Sequence, residues 1–305
     1  MKSNTSIQVS STLSEHRLLT FQWGLQPHEA QPFVAPVPLE VLAESPGYAE
    51  HWNTADDANY EHKDGHQLIS TEEHLVMVFQ ADDVNLHDWV SQVYRRAYQA
   101  SKAAGYPHLL RTWNYLYDIN ATDQGLERYQ TFCVARHQVM ESLQLLNDPN
   151  PAATAIGTHN KENSLVFLFA RSAGHVIENK RQTPAWEYPQ QYAPRQPRFS
   201  RAIIIDDVLF CSGTASVVGH ETAHVGNLPA QFDECLNNLQ VLIESSGARH
   251  RLADGMYRFY VRDKAHLPQV SEKIKNSQIQ QYVILHGDVC RENLLIECEV
   301  VFQSN

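Results

Sequence analysis

The stretch "LPAQFDECLNNLQVLIESSGA", residues 228–248, indicates the fold of the second half of the chain. Its apolar side chains recur at helical spacing, and Gly247 follows them as a usual stop signal for a helix. A helix with one apolar stripe must bury that stripe against another element, and a sheet is the expected partner. The residues of the stripe are Phe232, Cys235, Leu236, Leu239 and Ile243.

The segments on both sides of this helix predict the sheet. Before it, "RAIIIDDVLFCSGTAS" (201–216) favours two strands joined by a turn at Asp206 and Asp207, as in a hairpin. After it, apolar and β-branched runs predict strands, with one short helix between them. These later elements are the strand "MYRFYVRD" (256–263), the helix "LPQVSEKIKNS" (267–277) and the strands "QYVILHG" (281–287) and "NLLIECEVVF" (293–302).

The first half repeats this order of elements. "VNLHDWVSQVYRRAYQASKAAG" (84–105) predicts an amphipathic helix, and "HLLRTWNYLYDIN" (108–120) a strand. "GLERYQTFCVARHQVMESL" (125–143) predicts a second helix. The fold class is therefore α+β, with two halves that are each a mixed sheet backed by helices.

A segment rich in proline and aromatic residues separates the halves. "RQTPAWEYPQQYAPRQPRFS" (181–200) holds four prolines, too many for regular structure. Its aromatic content is too high for a flexible linker, so we expect an ordered crossing segment that lines a site. The predicted organisation is an N-terminal half (1–180), the crossing segment (181–200) and a C-terminal catalytic domain (201–305).

Composition excludes several classes of protein. The chain has 305 residues and a formal charge of −11, which argues against a general nucleic-acid binder because phosphate binding needs a basic face. No apolar run is long enough for a membrane span or a signal peptide, so we expect a cytoplasmic protein. Five cysteines without a C-x-x-C pair make a disulfide framework unexpected.

Longer stretches resemble known proteins. The second half resembles the RidA/YjgF fold, which is chorismate mutase-like, in the order of its elements and in "CSGTAS", Gln231 and "LLIECEV". The whole chain is more specifically similar to the chorismatase family, whose C-terminal domain is RidA-like. The matching stretches are "RTWNYLYDIN" (111–120), "ERYQTFCVAR" (127–136), "YPQQYAPRQPRFSRA" (188–202), "SGTASVVGHETAH" (212–224) and "GDVCRENLLIECE" (287–299).

One motif competes with this resemblance. His220, Glu221 and His224 have the H-E-x-x-H spacing of zinc proteases, in which both histidines share one face of a helix. Gly213, Gly219 and Gly226 weaken a helix here by roughly 0.5 to 1 kcal/mol each. The resemblance implies a loop instead, so we expect no metal site, although a zinc hydrolase remains the remote alternative.

The resemblance implies cleavage of the enolpyruvyl ether of chorismate to 3-hydroxybenzoate and pyruvate, without a cofactor. Such cleavage requires a proton at the terminal methylene carbon of the vinyl ether, delivered by a carboxylic acid that burial keeps protonated. The resemblance places this acid at Glu297, the first Glu of "ECE". Glu299 is the competing carboxyl, and Glu297 as a solvent-facing strand residue is the structural alternative.

The remaining site residues are predicted from chemistry and from the same resemblance. Arginine binds planar carboxylates through paired hydrogen bonds, and tyrosines supply hydroxyl groups and a flat aromatic surface against which a ring can pack. The backbone of the 213–214 turn is expected to offer N–H groups to an anion. The resemblance associates Cys290, seven residues before the acid, with 3-hydroxybenzoate as the product; a thiol that only packs is the alternative. The predicted substrate-binding residues are Tyr129, Arg136, Tyr192, Arg198, Gly213, Thr214, Arg262 and Arg291.

Other functions stay open on the sequence alone. Hydrolysis of chorismate to 3,4-dihydroxycyclohexa-1,5-diene carboxylate is the sister reaction, and some 4-hydroxybenzoate is a further possible product. An imine deaminase or a non-catalytic ligand-binding protein of the RidA type is the alternative of a different class. Two related halves in one chain could bury a RidA-like interface internally, so we expect a monomer.

Overall fold

The structure is a computed structural model that describes residues 7–25, 31–82 and 84–303. Within these ranges, none of the helices has both the length and the apolar character that a membrane crossing requires. The strands of the first half are β1 (Gln8–Ser10), β2 (Arg17–Trp23), β3 (Val34–Val37), β4 (Glu40–Glu44), β5 (Glu50–Asn53), β6 (Asn59–Lys63), β7 (His66–Ser70), β8 (His74–Asp82), β9 (His108–Tyr117), β10 (Thr122–Asp123), β11 (Leu126–Glu127), β12 (Ala152–Thr158) and β13 (Glu162–Ala170).

Helices α1 (Leu86–Ala103) and α2 (Arg128–Ser142) belong to the same half. Two further helices, α3 (Leu228–Ser246) and α4 (Leu267–Ser277), follow in the second half. The remaining strands are β14 (His175–Ile177), β15 (Ala202–Ile205), β16 (Val208–Ala215), β17 (Val217–Val218), β18 (Glu221–Thr222), β19 (Met256–Val261), β20 (Gln281–His286), β21 (Asp288–Val289) and β22 (Ile296–Gln303).

Two mixed sheets carry the same internal arrangement. In the first sheet the strand order is β21-β12-β9-β13-β8-β7-β6, and in the second it is β14-β15-β16-β22-β19-β20-β4. The parallel pairs are β9 with β12 and β19 with β20, and a helix joins the strands of each pair. Strand β22 therefore occupies in the second sheet the place of β13 in the first, and the predicted repeat is confirmed.

The two sheets face each other across one apolar core. That core contains Trp113 and Tyr115 of the first sheet, and Phe210 and Tyr260 of the second. The outer face of the first sheet packs against α1 and α2, and the outer face of the second packs against α3 and α4. A four-stranded sheet of β1, β5, β2 and β3 adds Trp52 and other apolar side chains to the central core.

Each half gives a strand to the sheet of the other. Strand β4 pairs with β20 of the second sheet, and β21 pairs with β12 of the first. Strand β14 likewise joins the second sheet through β15, although it precedes residue 180. The domain boundaries at 180 and 200 stay a prediction, and sheet membership crosses them in both directions.

The local predictions in the second half are confirmed. Helix α3 ends where Gly247 adopts the left-handed conformation (φ 69°), as a helix stop requires. Strands β15 and β16 form the predicted hairpin, in which Ile205 pairs with Val208. Asp206 takes a positive φ of 52°, the conformation that a two-residue hairpin turn demands.

Candidate active site

A cavity of about 750 Å³ lies where the two halves meet. This volume suits a small organic ligand. Helix α2 and strand β12 supply its wall from the first half, and β16, β22 and the loop before β22 supply the wall from the second. The crossing segment closes the cavity through Gln182, Tyr188, Gln191, Tyr192, Pro197 and Phe199. Residues of the 181–200 segment therefore form part of a cavity wall, and the assignment of this cavity as the substrate site stays a prediction.

Glu297 is the carboxyl of β22 that lines this cavity. Glu297 is only 5% exposed, and among the described residues no hydrogen-bond donor contacts its carboxyl oxygens. Strand β16 passes close beside it, because Ala215 pairs with Glu297 in the ladder. A Cβ atom at Gly213 would lie 1.9 Å from Oε1 of Glu297, so this placement of the carboxyl requires a glycine there.

The surroundings of Glu297 favour its neutral form. Burial is the main cause of its raised pKa, and the charge of Glu299 adds to the effect. Arg111 and Arg201 act in the opposite direction, and the resulting pKa is about 8. The side chain is therefore mostly protonated at pH 7, as a general acid must be.

Glu299 lies on the same face of β22, yet its environment is the opposite. Three neutral donors contact its carboxylate: the indole of Trp113 (2.5 Å), the hydroxyl of Thr154 (2.8 Å) and that of Tyr260 (2.9 Å). Arg111 and Arg258 form ion pairs with it at 3.0 and 3.3 Å. Burial alone would raise its pKa, but these partners lower it to about 2. Glu299 does not line the cavity.

Three arginines in the cavity wall have a guanidinium group that forms no ion pair with a carboxylate of the described residues. Arg136 of α2 is 3% exposed, and its Nε has no hydrogen-bond partner in the described part of the chain. Arg201 is 6% exposed and donates to the carbonyl of Thr183 and the hydroxyl of Tyr188. Arg291 donates to the carbonyl of His220 at 2.9 Å. A dianionic ligand would supply the missing counter-charges.

Tyrosines form part of the same wall. Tyr192 lies under the guanidinium of Arg291, 4.0 Å from ring centroid to carbon, and Tyr188 stands 5.2 Å from that guanidinium. Tyr129 projects from the first turn of α2 into the lining. The structure thus brings together the predicted residues Tyr129, Arg136, Tyr192, Arg291, Cys290 and Glu297.

Cys290 lies in the loop between β21 and β22 and lines the cavity. It packs against an apolar cluster that contains Ala215, Val217 and Leu294. Burial raises the pKa of its thiol to about 12, and the nearby Glu297 contributes. The thiol is therefore neutral at physiological pH and forms part of an apolar wall.

Two predicted arginines do not line the cavity. Arg262 uses all five of its N–H donors on Leu294, Asn120, Asp288, Val289 and Arg291, so none is left for a ligand. It fastens the loop that carries Cys290. Arg198 lies near α2 and donates to the carbonyl of Leu146. The prediction that these two side chains contact the ligand is corrected.

The predicted anion site at the 213–214 turn also requires correction. The N–H of Gly213 donates to Thr154 Oγ1 at 3.1 Å and is not available to an anion. The hydroxyl of Thr214 donates to the carbonyl of Ser212 and does not line the cavity. Gly213 does line the cavity, and its contribution there is the space that it leaves for Glu297.

The H-E-x-x-H segment is a small hairpin, not a helix. Strand β17 pairs with β18 across Gly219 and His220, and His224 has a positive φ of 58°. The ring of His220 packs against Tyr192, while His224 contacts Glu234 at 3.4 Å. The two histidines therefore do not share the face of a helical turn, which the zinc-protease motif needs.

Arg201 and Tyr188 are cavity residues that the sequence did not single out. Both lie within the stretch 188–202. Arg198, three residues before Arg201, has the same guanidinium group and was predicted in its place. Arg201 directly precedes β15, and the ladder bond between its carbonyl and Ser212 fixes its position. No signal in the sequence separates Arg201 from Arg198, because the fold decides which of the two enters the cavity.

Comparisons with known proteins agree with one another. A family model described as "Chorismatase FkbO/Hyg5-like, N-terminal" matches residues 50–170. A 3-hydroxybenzoate synthase of Streptomyces hygroscopicus is 35% identical and covers 83% of this chain and 81% of its own. A chorismatase of Streptomyces rapamycinicus is 33% identical, with 85% and 83% covered. The crystal structure of a chorismatase matches with a TM-score of 0.87 at 28% identity, over 99% of both chains.

Proposed function

Because the chain belongs to the chorismatase family, we propose that it cleaves the enolpyruvyl ether of chorismate to give 3-hydroxybenzoate and pyruvate. One observation carries the proposal: Glu297, a buried carboxyl without a hydrogen-bond partner in the described residues, faces a cavity lined by three arginines whose guanidinium groups form no ion pair with a described carboxylate. The acid supplies the proton and the arginines hold the anion.

The arginines suit the charge of chorismate. The substrate has one carboxylate on the ring and one on the enolpyruvyl side chain. Arg136 lies on α2, whereas Arg201 and Arg291 come from the other half of the chain, so arginines of both halves are available to hold the two carboxylates. Pairing buried guanidinium groups with carboxylates removes the unfavourable burial of unpaired charge. Tyr129 and Tyr192 provide the flat surface beside the ring.

The first chemical step is proton transfer from Glu297. Its carboxyl group, neutral because its pKa is near 8, delivers the proton to the terminal methylene carbon of the vinyl ether. The methylene becomes a methyl group, and the adjacent carbon becomes part of an oxocarbenium ion. The Glu297 carboxylate that remains is close enough to the cation to stabilise it electrostatically.

The fate of this cation decides the product. Attack by the neighbouring ring hydroxyl joins its oxygen to the cationic carbon and releases the hydroxyl proton. The bond from that oxygen to the ring and the original ether bond to the side chain then break, so the oxygen leaves as the carbonyl oxygen of pyruvate. Loss of one ring C–H proton, with protonation of the remaining ring oxygen, gives 3-hydroxybenzoate, and no water is consumed. Attack by water gives the dihydroxycyclohexadiene carboxylate and pyruvate. The neutral thiol of Cys290 occupies the space beside the acid, and we assign it the role of keeping water from the cation.

The test is incubation of the purified protein with chorismate, with the products separated by chromatography. The proposal predicts equal amounts of pyruvate and 3-hydroxybenzoate. In deuterium oxide, the pyruvate methyl group should gain one solvent deuterium, which rapid enzymatic reduction to lactate would preserve for mass spectrometry. A diene diol as the main product would favour the sister reaction. Unchanged chorismate, with turnover of small imino acids, would instead favour a RidA-like deaminase.

A further inference from the structure

Glu299 is a buried carboxylate that the proposed reaction does not use. It stands one strand period from Glu297 on the inner face of β22. Its oxygens accept from Trp113, Thr154 and Tyr260 and pair with two arginines. With that set of donors it has no free position for a proton and stays ionised.

The donors come from both halves of the protein. Trp113 and Arg111 lie on β9 and Thr154 on β12, so the first sheet holds a carboxylate of the second. Arg258 of β19 completes the set and is itself fixed by Glu50 at 2.8 Å. A negative charge is thereby held in one place in the low-dielectric space between the sheets.

Among the described residues, the charges that act most strongly on Glu297 are one carboxylate and two guanidinium groups. Other charged side chains line the same cavity, namely Glu127, Arg136, Glu221, Arg291 and Glu292. Glu299 adjoins Glu297 on its own strand, Arg111 reaches it from β9, and Arg201 stands across the cavity wall. Cys290, from the loop before β22, is a neutral neighbour. The negative charge of Glu299 has the largest effect of the three charged neighbours, ahead of each arginine.

We propose that Glu299 is a positioning residue for the reaction: its fixed negative charge beside Glu297 keeps the acid protonated until chorismate is bound. The inference rests on the proposed role of Glu297 as proton donor. The hydrogen-bond and ion-pair network around Glu299 would then support catalysis in addition to joining the two sheets. This role accounts for the presence of two glutamic acids on one face of a buried strand.

The experiment compares the pH dependence of kcat/KM for chorismate in the wild type and in Glu299→Gln. The wild-type profile should fall as the pH rises through about 8, where Glu297 loses its proton. Without the neighbouring negative charge, and with two arginines left unbalanced, this alkaline limb should move down by roughly 1 to 3 pH units. The variant should thus retain more of the wild-type activity at pH 6 than at pH 8.

Two further variants separate charge from structure. Trp113→Phe removes a neutral donor to Glu299 but keeps its charge, so the alkaline limb should stay in place. The double variant Glu299→Gln/Arg111→Met removes an ion pair rather than one partner, which protects folding if the single variant fails to fold. The alkaline limb of the double variant should still move to lower pH than in the wild type. The shift should be smaller than in Glu299→Gln, if that single variant folds.

A second measurement does not depend on turnover. Difference infrared spectroscopy follows the C=O band of the protonated carboxyl, identified as the band that Glu297→Gln lacks. In ligand-free protein, this band should disappear at lower pH in the Glu299 variants than in the wild type. If the titration midpoint is unchanged or higher in both, the inference is overturned. If the midpoint moves while the wild type fails to convert chorismate, the proposed function fails and the charge relation between the two residues stands.

Discussion

At the scale of single residues, Glu297 and Glu299 show how surroundings divide two identical side chains. Both are buried on one face of β22, at 5% and 2% exposure. Glu299 accepts hydrogen bonds from three donors, forms ion pairs with two arginines and has a pKa of about 2, whereas Glu297 faces the cavity with a pKa of about 8. The alternation of "LLIECEV" predicted the shared face but not this division, because the donors come from strands distant in sequence.

The raised pKa of Glu297 has a consequence for stability. An unfolded glutamic acid ionises near pH 4.5, while the folded one keeps its proton up to about pH 8. The contribution of Glu297 is therefore most favourable below pH 4.5 and is lost as the pH rises to 8. Replacement by Gln should stabilise the protein at pH 7, by at most about 3 kcal/mol, and by less at pH 5.

Urea unfolding of the wild type and Glu297→Gln at pH 5, 7 and 8 measures this difference. It should widen between pH 5 and 8. A stability difference that does not depend on pH would show that Glu297 ionises equally well in both states, and the account of its burial would be wrong.

Cys290 supports a separate prediction about the product. Cys290→Ala leaves Glu297 intact but enlarges the space next to it, which should admit water to the oxocarbenium ion. The product should shift from 3-hydroxybenzoate toward the dihydroxycyclohexadiene carboxylate, with total pyruvate formation within about tenfold of the wild type, since the proton donor is unchanged. Chromatography of both aromatic and diene products gives the ratio. A changed rate with a constant ratio would reduce Cys290 to a packing residue.

At the scale of elements, helix α2 and the residue before strand β15 each supply one cavity arginine, and both contributions can be tested together. Arg136→Ala in α2 and Arg201→Ala before β15 should each weaken chorismate binding by about 1.5 to 3 kcal/mol, the size of a charge-assisted contact. Arg198→Ala is the matched control, because Arg198 lies outside the cavity lining. Calorimetric binding to protein with the Glu297→Gln background avoids turnover. Equal affinities for all three variants would remove both arginines from the site.

The elements themselves were predictable where local pattern was strong. Helix α3 and the β15–β16 hairpin follow from a stripe of apolar residues and a turn dipeptide. The exchanged strands β4 and β21 were not predicted, because β21 has two residues and shows no periodicity. Arg201 was missed for a related reason: only the tertiary fold decides which of several nearby arginines enters a cavity.

At the scale of the whole molecule, one buried network joins three sheets. Glu50 lies on β5 of the four-stranded sheet, Arg258 on β19 of the second sheet and Arg111 on β9 of the first, and Glu299 links the two arginines. The sequence predicted two similar halves but not this junction, since its members are separated by up to 249 positions. The expected monomer stays a prediction.

The network predicts strongly coupled effects on unfolding. Glu50→Gln leaves Arg258 buried with less compensation and should lower the free energy of unfolding by about 3 to 5 kcal/mol. The double variant Glu50→Gln/Arg258→Met removes both charges and should be destabilised by less than the sum of the single variants. Urea denaturation of the wild type, the single variants Glu50→Gln and Arg258→Met, and the double variant provides a double-mutant cycle. Additive effects would mean that the two side chains do not act as a pair.

The central claim is that Glu297 donates the proton that opens chorismate, and the turnover number of Glu297→Gln tests it most directly. Glutamine preserves the shape of the side chain but cannot deliver a proton, so kcat for pyruvate formation should fall by about two orders of magnitude or more. Chorismate binding, measured by calorimetry, should remain, which would show that the cavity is intact. If Glu297→Gln turns chorismate over at the wild-type rate, the proton comes from another group and the account is contradicted.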